Sequence, residues 1–322
     1  LEYDVFAIGT ALVDFFAKST DDFLKKNGLV KGATNFFPRK KLDELHEELS
    51  DSIFTCMPGD NARNVCEGVS YLGGKVAYAS SVALDPEGDF FLKNLKTHGI
   101  HSSVTKKPGR TGKIIVLITP DCQRTFAVDL GNSEDYDSFP KKVLLNSRYF
   151  YLTSITLLAS GKLGGTVKDA LKFAEKESVK VAISLESPPM IKENRRKILE
   201  MIGAADVLFA NEDELAALEP GGDATARELA AKIGAVYLKK GEKGSKIFTK
   251  SREFSIPCYS KKTVDTTGAG DFYAAGAIRG LSLGKSPEEA GKMGAKLAGK
   301  VVAHFGATAR KASCANFSPK GK

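Results

Sequence analysis

Residues 179–238 read VKVAISLESPPMIKENRRKILEMIGAADVLFANEDELAALEPGGDATARELAAKIGAVYL, and this stretch decides the fold. Its short apolar runs at 179–185, 207–210 and 235–238 are strand-sized, and residues 189–204, 212–218 and 223–232 between them read as helices. Buried strands separated by helical stretches are the pattern of a parallel sheet covered by helices. The same rhythm extends in both directions. Strands are expected at 3–8, 76–80 and 149–152, helices at 40–49, 61–72, 85–98 and 162–177, and two closing helices at 271–283 and 287–305.

Two stretches break the rhythm. Residues 11–18 with 33–37, and 101–106 with 113–119 and 124–130, read as extended hairpin material, with turn chemistry at Pro108-Gly109 and Pro120-Asp121. Strands without intervening helices do not belong in a doubly wound sheet. They predict a small β-layer built from two insertions, about 11–38 and 101–131, laid over the sheet as a lid. The expected class is α/β: a doubly wound, mostly parallel sheet with helices on both faces, in a single domain over 1–322.

Composition narrows the function classes. The chain has 322 residues, 42% hydrophobic and 27% charged, the mix of a globular protein that buries roughly three quarters of its unfolded surface without staples. Five cysteines, Cys56, Cys66, Cys122, Cys258 and Cys314, never fall as Cys-x-x-Cys, which argues against a disulfide framework or a zinc ribbon and fits a reducing cytoplasm. No apolar run approaches the ~18 residues of a membrane span, and the first ten residues carry no Lys or Arg, unlike a signal peptide. The net charge of +8 is concentrated in residues 291–322, which hold seven Lys and Arg and no acids. With no Trp and only Phe305 and Phe317 nearby, this segment reads as a solvated basic end, and no nucleic-acid partner is expected.

The segment richest in chemistry is Val264-Asp265-Thr266-Thr267-Gly268-Ala269-Gly270-Asp271-Phe272-Tyr273. A Gly-Ala-Gly turn opening a small-residue helix leaves backbone N–H groups free at a helix N-terminus, where the dipole also favours negative charge. Asp271 follows in the first turn, placed to accept a proton from an attacking hydroxyl. Phosphoryl transfer needs this arrangement, because its transition state is stabilised by positioning and by donors aimed at developing charge. Two other nucleotide devices fail on spacing. Tyr273 stands where a dinucleotide fingerprint needs its third Gly, and Gly284-Lys285-Ser286 lacks the first Gly and the preceding strand of a P-loop.

Here the sequence resembles the ribokinase or PfkB sugar-kinase family, which includes adenosine kinases. Residues 265–271 match its C-terminal signature, and the likeness extends over nearly all the chain. It implies a ribokinase-like fold, with Asp271 as general base and the amides of Gly268, Ala269 and Gly270 as an anion hole. Gly59-Asp60-Asn61-Ala62-Arg63-Asn64, followed by Gly73-Gly74, is similar to the N-terminal signature, with Asp60 where a second Gly is usual. It implies substrate contacts from Gly59, Asp60 and Asn64. Asp14 lies in an apolar run where an acid is costly unless bonded, and a carboxylate can accept both hydroxyls of a cis-diol. The family places a substrate-binding Asp there.

Asn211-Glu212-Asp213-Glu214 matches the family's Asn-x-x-Glu motif, implying that Asn211 and Glu214 hold magnesium through water. From the residues alone a capping box is the better reading, and both can hold at once; the order of motifs along the chain favours the magnesium role. Lys239, Gly241 and Gly244 resemble the nucleotide-binding turn. Arg124 matches a lid arginine that adenosine-kinase-like members aim at the transferred phosphate. Asp265 and Thr267 inherit a monovalent-cation role, with potassium as the ion. Together these imply an ATP- and magnesium-dependent kinase for the primary hydroxyl of a nucleoside, with a sugar kinase of the same family, acting on ribose, fructose or a keto-sugar acid, as the alternative. A catalytically silent binding protein is the remote rival, against which the intact Asp271 and Gly-Ala-Gly run argue. Relatives occur as monomers or as homodimers through the lid.

Overall fold

The structure is a computed structural model, and it describes residues 1–309. In chain order its strands are β1 (Tyr3–Ile8), β2 (Leu12–Lys18), β3 (Thr34–Phe36), β4 (Ile53–Pro58), β5 (Val76–Ala83), β6 (His101–Lys107), β7 (Thr111–Ile118), β8 (Arg124–Gly131), β9 (Ser147–Thr153), β10 (Lys180–Ser184), β11 (Val207–Asn211), β12 (Ala235–Lys239), β13 (Ser245–Thr249) and β14 (Glu253–Ile256). The helices are α1 (Asp21–Lys26), α2 (Arg39–Glu48), α3 (Asn61–Tyr71), α4 (Pro86–Thr97), α5 (Lys141–Leu145), α6 (Ser154–Leu158), α7 (Gly161–Lys176), α8 (Pro188–Glu193), α9 (Arg195–Ile202), α10 (Glu212–Leu218), α11 (Asp223–Ile233), α12 (Ala269–Ser282) and α13 (Pro287–Val301).

A nine-stranded sheet runs in the order β14-β13-β12-β11-β10-β9-β1-β5-β6, parallel from β12 to β6 and closed at the other edge by the antiparallel β13 and β14. One face packs on α7, α9, α10 and α11 through side chains such as Val167, Ile198, Leu215 and Leu229. The other packs on α3, α4, α12 and α13 through Val65, Phe91, Phe272 and Val301. With both faces covered, the inner strands are buried along their length: all eight residues of β5 are buried, Ser80 and Ser81 among them.

The second sheet, in the order β3-β8-β7-β2-β4, is the lid. Its outer face carries Ala17, Ile115, Leu117 and Ala127 against Leu24 of α1 and Leu42 and Leu45 of α2. Its inner face looks at the large sheet.

The lid departs from expectation in two places. His101–Lys107 is not part of it: this strand pairs in parallel with β5 over its full length and forms the edge of the large sheet. The physical reason is α4, which supplies the crossover that a parallel partner requires. The second insertion therefore begins after Lys107 rather than at 101. Conversely, β4 joins the lid antiparallel to β2, with Asp14 opposite Met57. Two smaller differences have local causes. The expected helix at 189–204 divides at Asn194, whose backbone leaves helical geometry (φ −117°, ψ 21°) while its amide donates to the Met190 carbonyl at 3.0 Å. The hairpin β13–β14 follows a parallel strand without a helix, on a charged edge with weak apolar signal. The expected closing helix ends at Val301, four residues short of Phe305. Phe317 and Cys314, and the basic residues beyond 309, lie outside the described residues.

Candidate functional site

From β1 the chain works outward to β5 and β6 on one side, then returns to β9 and continues to β12 on the other. Ligands of open α/β sheets bind beyond the carboxyl ends of the strands at such a reversal. A cavity of about 280 Å³ lies there, between the strand ends and the lid's inner face. The lid contributes Leu12, Asp14 and Phe16 from β2, Ile114 from β7, and Phe126, Val128 and Leu130 from β8. The alternate positions are dictated by the two-residue repeat of a strand. The floor is polar: Asp60, Asn61 and Asn64 at the start of α3, Glu186 after β10, and Thr267, Gly268 and Asp271 at the start of α12.

Gly268 caps α12 with φ 75°, a conformation glycine adopts freely, and no side chain caps the helix. The Ala269 amide already donates to the Thr266 carbonyl at 3.1 Å, so the expected anion hole has one of its donors engaged. A Cβ on Gly270 would lie 3.0 Å from Lys239 Nζ. The ammonium group at the end of β12 thus sits over the helix N-terminus, adding charge where the dipole already favours an anion. Lys239, Gly268 and Gly270 together fit a phosphate group.

Asp271 is buried, and Asn64 Nδ2 donates to its Oδ2 at 2.9 Å. Burial pushes its carboxyl above the ordinary range; the Asn64 hydrogen bond and Lys239 pull it down, while Asp60 and Glu214 add repulsion.

At the lid side, burial raises Asp14 to about 7, with Arg63 opposing and Asp60 reinforcing the shift. Its Oδ1 is buried with no partner. A Cβ on Gly59 would collide with Leu12 and with this carboxylate, so glycine is what allows the close approach. Asp60 behaves differently. It takes the positive φ (93°) of the usual Gly and caps α3, accepting from the Arg63 amide at 3.1 Å, Tyr78 Oη at 2.7 Å and Thr10 Oγ1 at 3.1 Å. Its oxygens are committed to the turn, although it lines the cavity.

The buried Asp14 carboxyl, with its unpartnered Oδ1, carries a consequence for stability. The folded chain holds its proton up to about pH 7, and the unfolded chain releases it near 4. The folded state binds the extra proton between those values, so stability falls as pH rises from about 4 to about 7. Thermal melts of the free protein should fall over this range, and less steeply in Asp14→Asn.

The nucleotide-side residues cluster at the ends of β11 and β12. Asn211 and Glu214 form a reciprocal capping box: Glu214 N donates to Asn211 Oδ1 at 2.8 Å, and Asn211 N to Glu214 Oε2 at 2.7 Å. Glu214 Oε2 is also 3.8 Å from Lys239. Among the described residues no group of three or more His, Cys, Asp or Glu is arranged to hold a metal directly. Hard carboxylate oxygen beside a phosphate-fitting helix end suits magnesium held by water and nucleotide phosphates. Gly241 (φ 57°) and Gly244 (φ 85°) turn the chain after β12. None of Asn211, Glu214, Lys239, Gly241 and Gly244 lines the cavity beneath the lid.

Arg124, at the start of β8, reaches the α12 loop, but its guanidinium is paired with Asp265 Oδ1 at 2.6 Å and bonded to Thr267 Oγ1. Asp265 also accepts from the amides of Thr267 and Gly306 at 2.8 and 2.9 Å. Its carboxylate anchors the lid and the segment after α13, and the arginine expected to point at phosphate is turned onto it.

Sequence reasoning missed Glu186. Ser154 Oγ bonds both its backbone groups, at 2.8 and 3.0 Å, the following Ser187 sits at φ 59°, and its buried Oε1 has no partner. Burial and the neighbouring Asp271 raise its carboxyl well above the ordinary range. An acid just past a buried strand was the available signal.

A family profile described as pfkB family carbohydrate kinase matches residues 32–313. The adenosine kinase from Sinorhizobium meliloti superposes with a TM-score of 0.88 at 28% identity, covering 96% of each chain. Among curated proteins, an uncharacterized sugar kinase from Archaeoglobus fulgidus is 29% identical over 248 residues, 74% of this chain and 96% of that one. A 5-dehydro-2-deoxygluconokinase from Geobacillus thermodenitrificans is 28% identical over 281 residues, 81% of this chain and 83% of its own.

Proposed function

This chain belongs to the pfkB family of carbohydrate kinases and is a phosphotransferase with an alcohol acceptor; on that basis we propose that it transfers the γ-phosphoryl group of ATP to the primary hydroxyl of a nucleoside. The observation that carries the finer reading is the two-sided cavity. Apolar lid side chains, among them Leu12, Phe16, Ile114, Phe126, Val128 and Leu130, face a floor of carboxylates and amides. A nucleoside presents an apolar plane and a diol-bearing sugar to match. A free sugar is polar all round and would leave hydroxyls against these side chains without partners.

In this reading Asp14 accepts the diol, Asp271 takes the proton of the attacking hydroxyl, and the N-terminus of α12 with Lys239 receives the phosphoryl group. Asn211, Glu214, Gly241 and Gly244 face the nucleotide, and Asp265, through its backbone carbonyl since Arg124 takes its carboxylate, is with Thr267 the proposed place for a monovalent cation. Magnesium, when bound, neutralises phosphate charge.

A second reading has its own support. The curated relatives include sugar kinases, among them the 5-dehydro-2-deoxygluconokinase and a probable fructokinase from Arabidopsis thaliana that is 26% identical over 246 residues, so a free-sugar acceptor is favoured by sequence kinship. ADP release measured with ATP, magnesium and matched panels of nucleosides and sugars separates the two. The nucleoside reading expects kcat/KM for its best nucleoside to exceed that of every sugar by tenfold or more. Turnover confined to sugars would replace it with the sugar kinase.

A further inference from the structure

A buried line of polar contacts runs from the chain's described end to Asp271, through Glu67 and Asn94, which lie outside the motifs above, and Arg63, which had no role of its own there. Arg63 and Glu67 lie one turn apart on α3, 3% and 1% exposed, with Arg63 Nη2 2.5 Å from Glu67 Oε2. Arg63 Nε and Nη2 also donate to Asn94 Oδ1 of α4, at 3.2 and 2.6 Å. Its Nη1 donates to Asn64 Oδ1 at 2.9 Å, and Asn64 Nδ2 donates to Asp271 Oδ2 at 2.9 Å. Behind the arginine, Glu67 Oε1 accepts from Thr308 Oγ1 at 2.6 Å and from the Ala309 amide at 3.1 Å, with His98 Nε2 at 3.6 Å.

A buried ion pair contributes little stability over well-packed apolar residues of the same size, because both charges must leave water. Its effect here is directional. The oxygen and nitrogen of an Asn amide are nearly the same shape, and an amide beside a carboxylate can present either. Presented as oxygen, it would repel Asp271. Arg63 fixes the choice, because its guanidinium holds Asn64 Oδ1 and leaves Nδ2 for the carboxylate. Glu67 and Asn94 hold the guanidinium in turn, and Thr308 Oγ1 and the Ala309 amide hold Glu67.

We propose that Arg63, held by Glu67, is a positioning residue: it locks the Asn64 amide so that Asp271 Oδ2 is tied down and Oδ1 is left to take the acceptor proton. This rests on the proposed role of Asp271, and it adds residues that the sequence had shown only as part of a helix. Asn64, expected to bind substrate hydroxyls, is here assigned first to the base.

The test is a double-mutant cycle on the full chain, measuring kcat and acceptor KM with ATP and the best acceptor. Arg63→Lys keeps a charge for Glu67 but cannot hold Asn64 and Asn94 together. It should lower kcat about tenfold with acceptor KM within twofold and the far-ultraviolet spectrum unchanged. In an Asn64→Ala background the same change should lower kcat by less than twofold, since the amide it acts through is gone. A folded Arg63→Lys enzyme with full kcat, or equal losses in both backgrounds, would overturn the proposal. Should Arg63→Lys not fold, Glu67→Gln, which preserves shape while removing the charge, reads the same cycle with the same two outcomes. If Asp271→Asn retains turnover, the reading of the base fails instead, and that single variant tells the two failures apart.

Discussion

Asp271→Asn should reduce turnover by roughly 10²–10⁴-fold, the usual worth of a positioned general base, while leaving the fold and ATP affinity in place. The substitution preserves shape, and Asn can still meet Asn64. What disappears is the ability to take the acceptor's proton as its oxygen bonds to phosphorus. Burial raises the carboxyl, so the wild-type enzyme should show kcat rising with pH as Asp271 gives up its proton, a limb that the Asn variant lacks. Single-turnover kinetics over a pH series, with nucleotide binding followed by calorimetry, measures both. Near-normal turnover in folded Asp271→Asn protein would remove the assignment.

Asp14→Ala should weaken acceptor binding by about 2–4 kcal/mol, the scale of charge-assisted hydrogen bonds lost from a buried site. ATP affinity should scarcely change, because Asp14 lies on β2 of the lid, away from the ends of β11 and β12. The unpartnered Oδ1 in the free protein makes the expectation sharper. A buried carboxyl oxygen without a donor is costly, and a ligand hydroxyl that supplies the donor removes that cost. The same variant should therefore raise the thermal stability of the free protein at pH 8 while weakening the complex. Calorimetry that finds acceptor affinity unchanged would return Asp14 to a purely structural role.

The large sheet was legible because its strands are buried on both faces and so read as unbroken apolar runs, such as residues 207–210, with helical stretches between. The lid's existence was legible in the helix-free strands, but its edges were not. The membership of β6 depends on which sheet pairs with it, a long-range choice that residues 101–107 do not encode, and β4 is a short edge strand of mixed burial. The Gly-Ala-Gly turn and Asp271 could be placed from sequence because local backbone chemistry specifies a helix N-terminus. The partners of those groups could not. Arg124 turns onto Asp265, Asp60 spends its oxygens on Tyr78, Thr10 and the Arg63 amide, and Lys239 reaches Gly270 across 31 residues of chain. Glu186 carried a visible signal, an acid after a buried strand, in a stretch without a motif to draw attention to it.

The central claim is that phosphate passes from ATP to a primary hydroxyl held between the lid and the start of α12. Phosphorus NMR of the product formed with ATP, magnesium and the best acceptor tests it most directly. The account predicts a phosphomonoester whose phosphorus couples to two protons on the adjacent carbon, formed in step with ADP. Inorganic phosphate as the only new phosphorus species, or an ester coupled to a single carbon-bound proton, would contradict it.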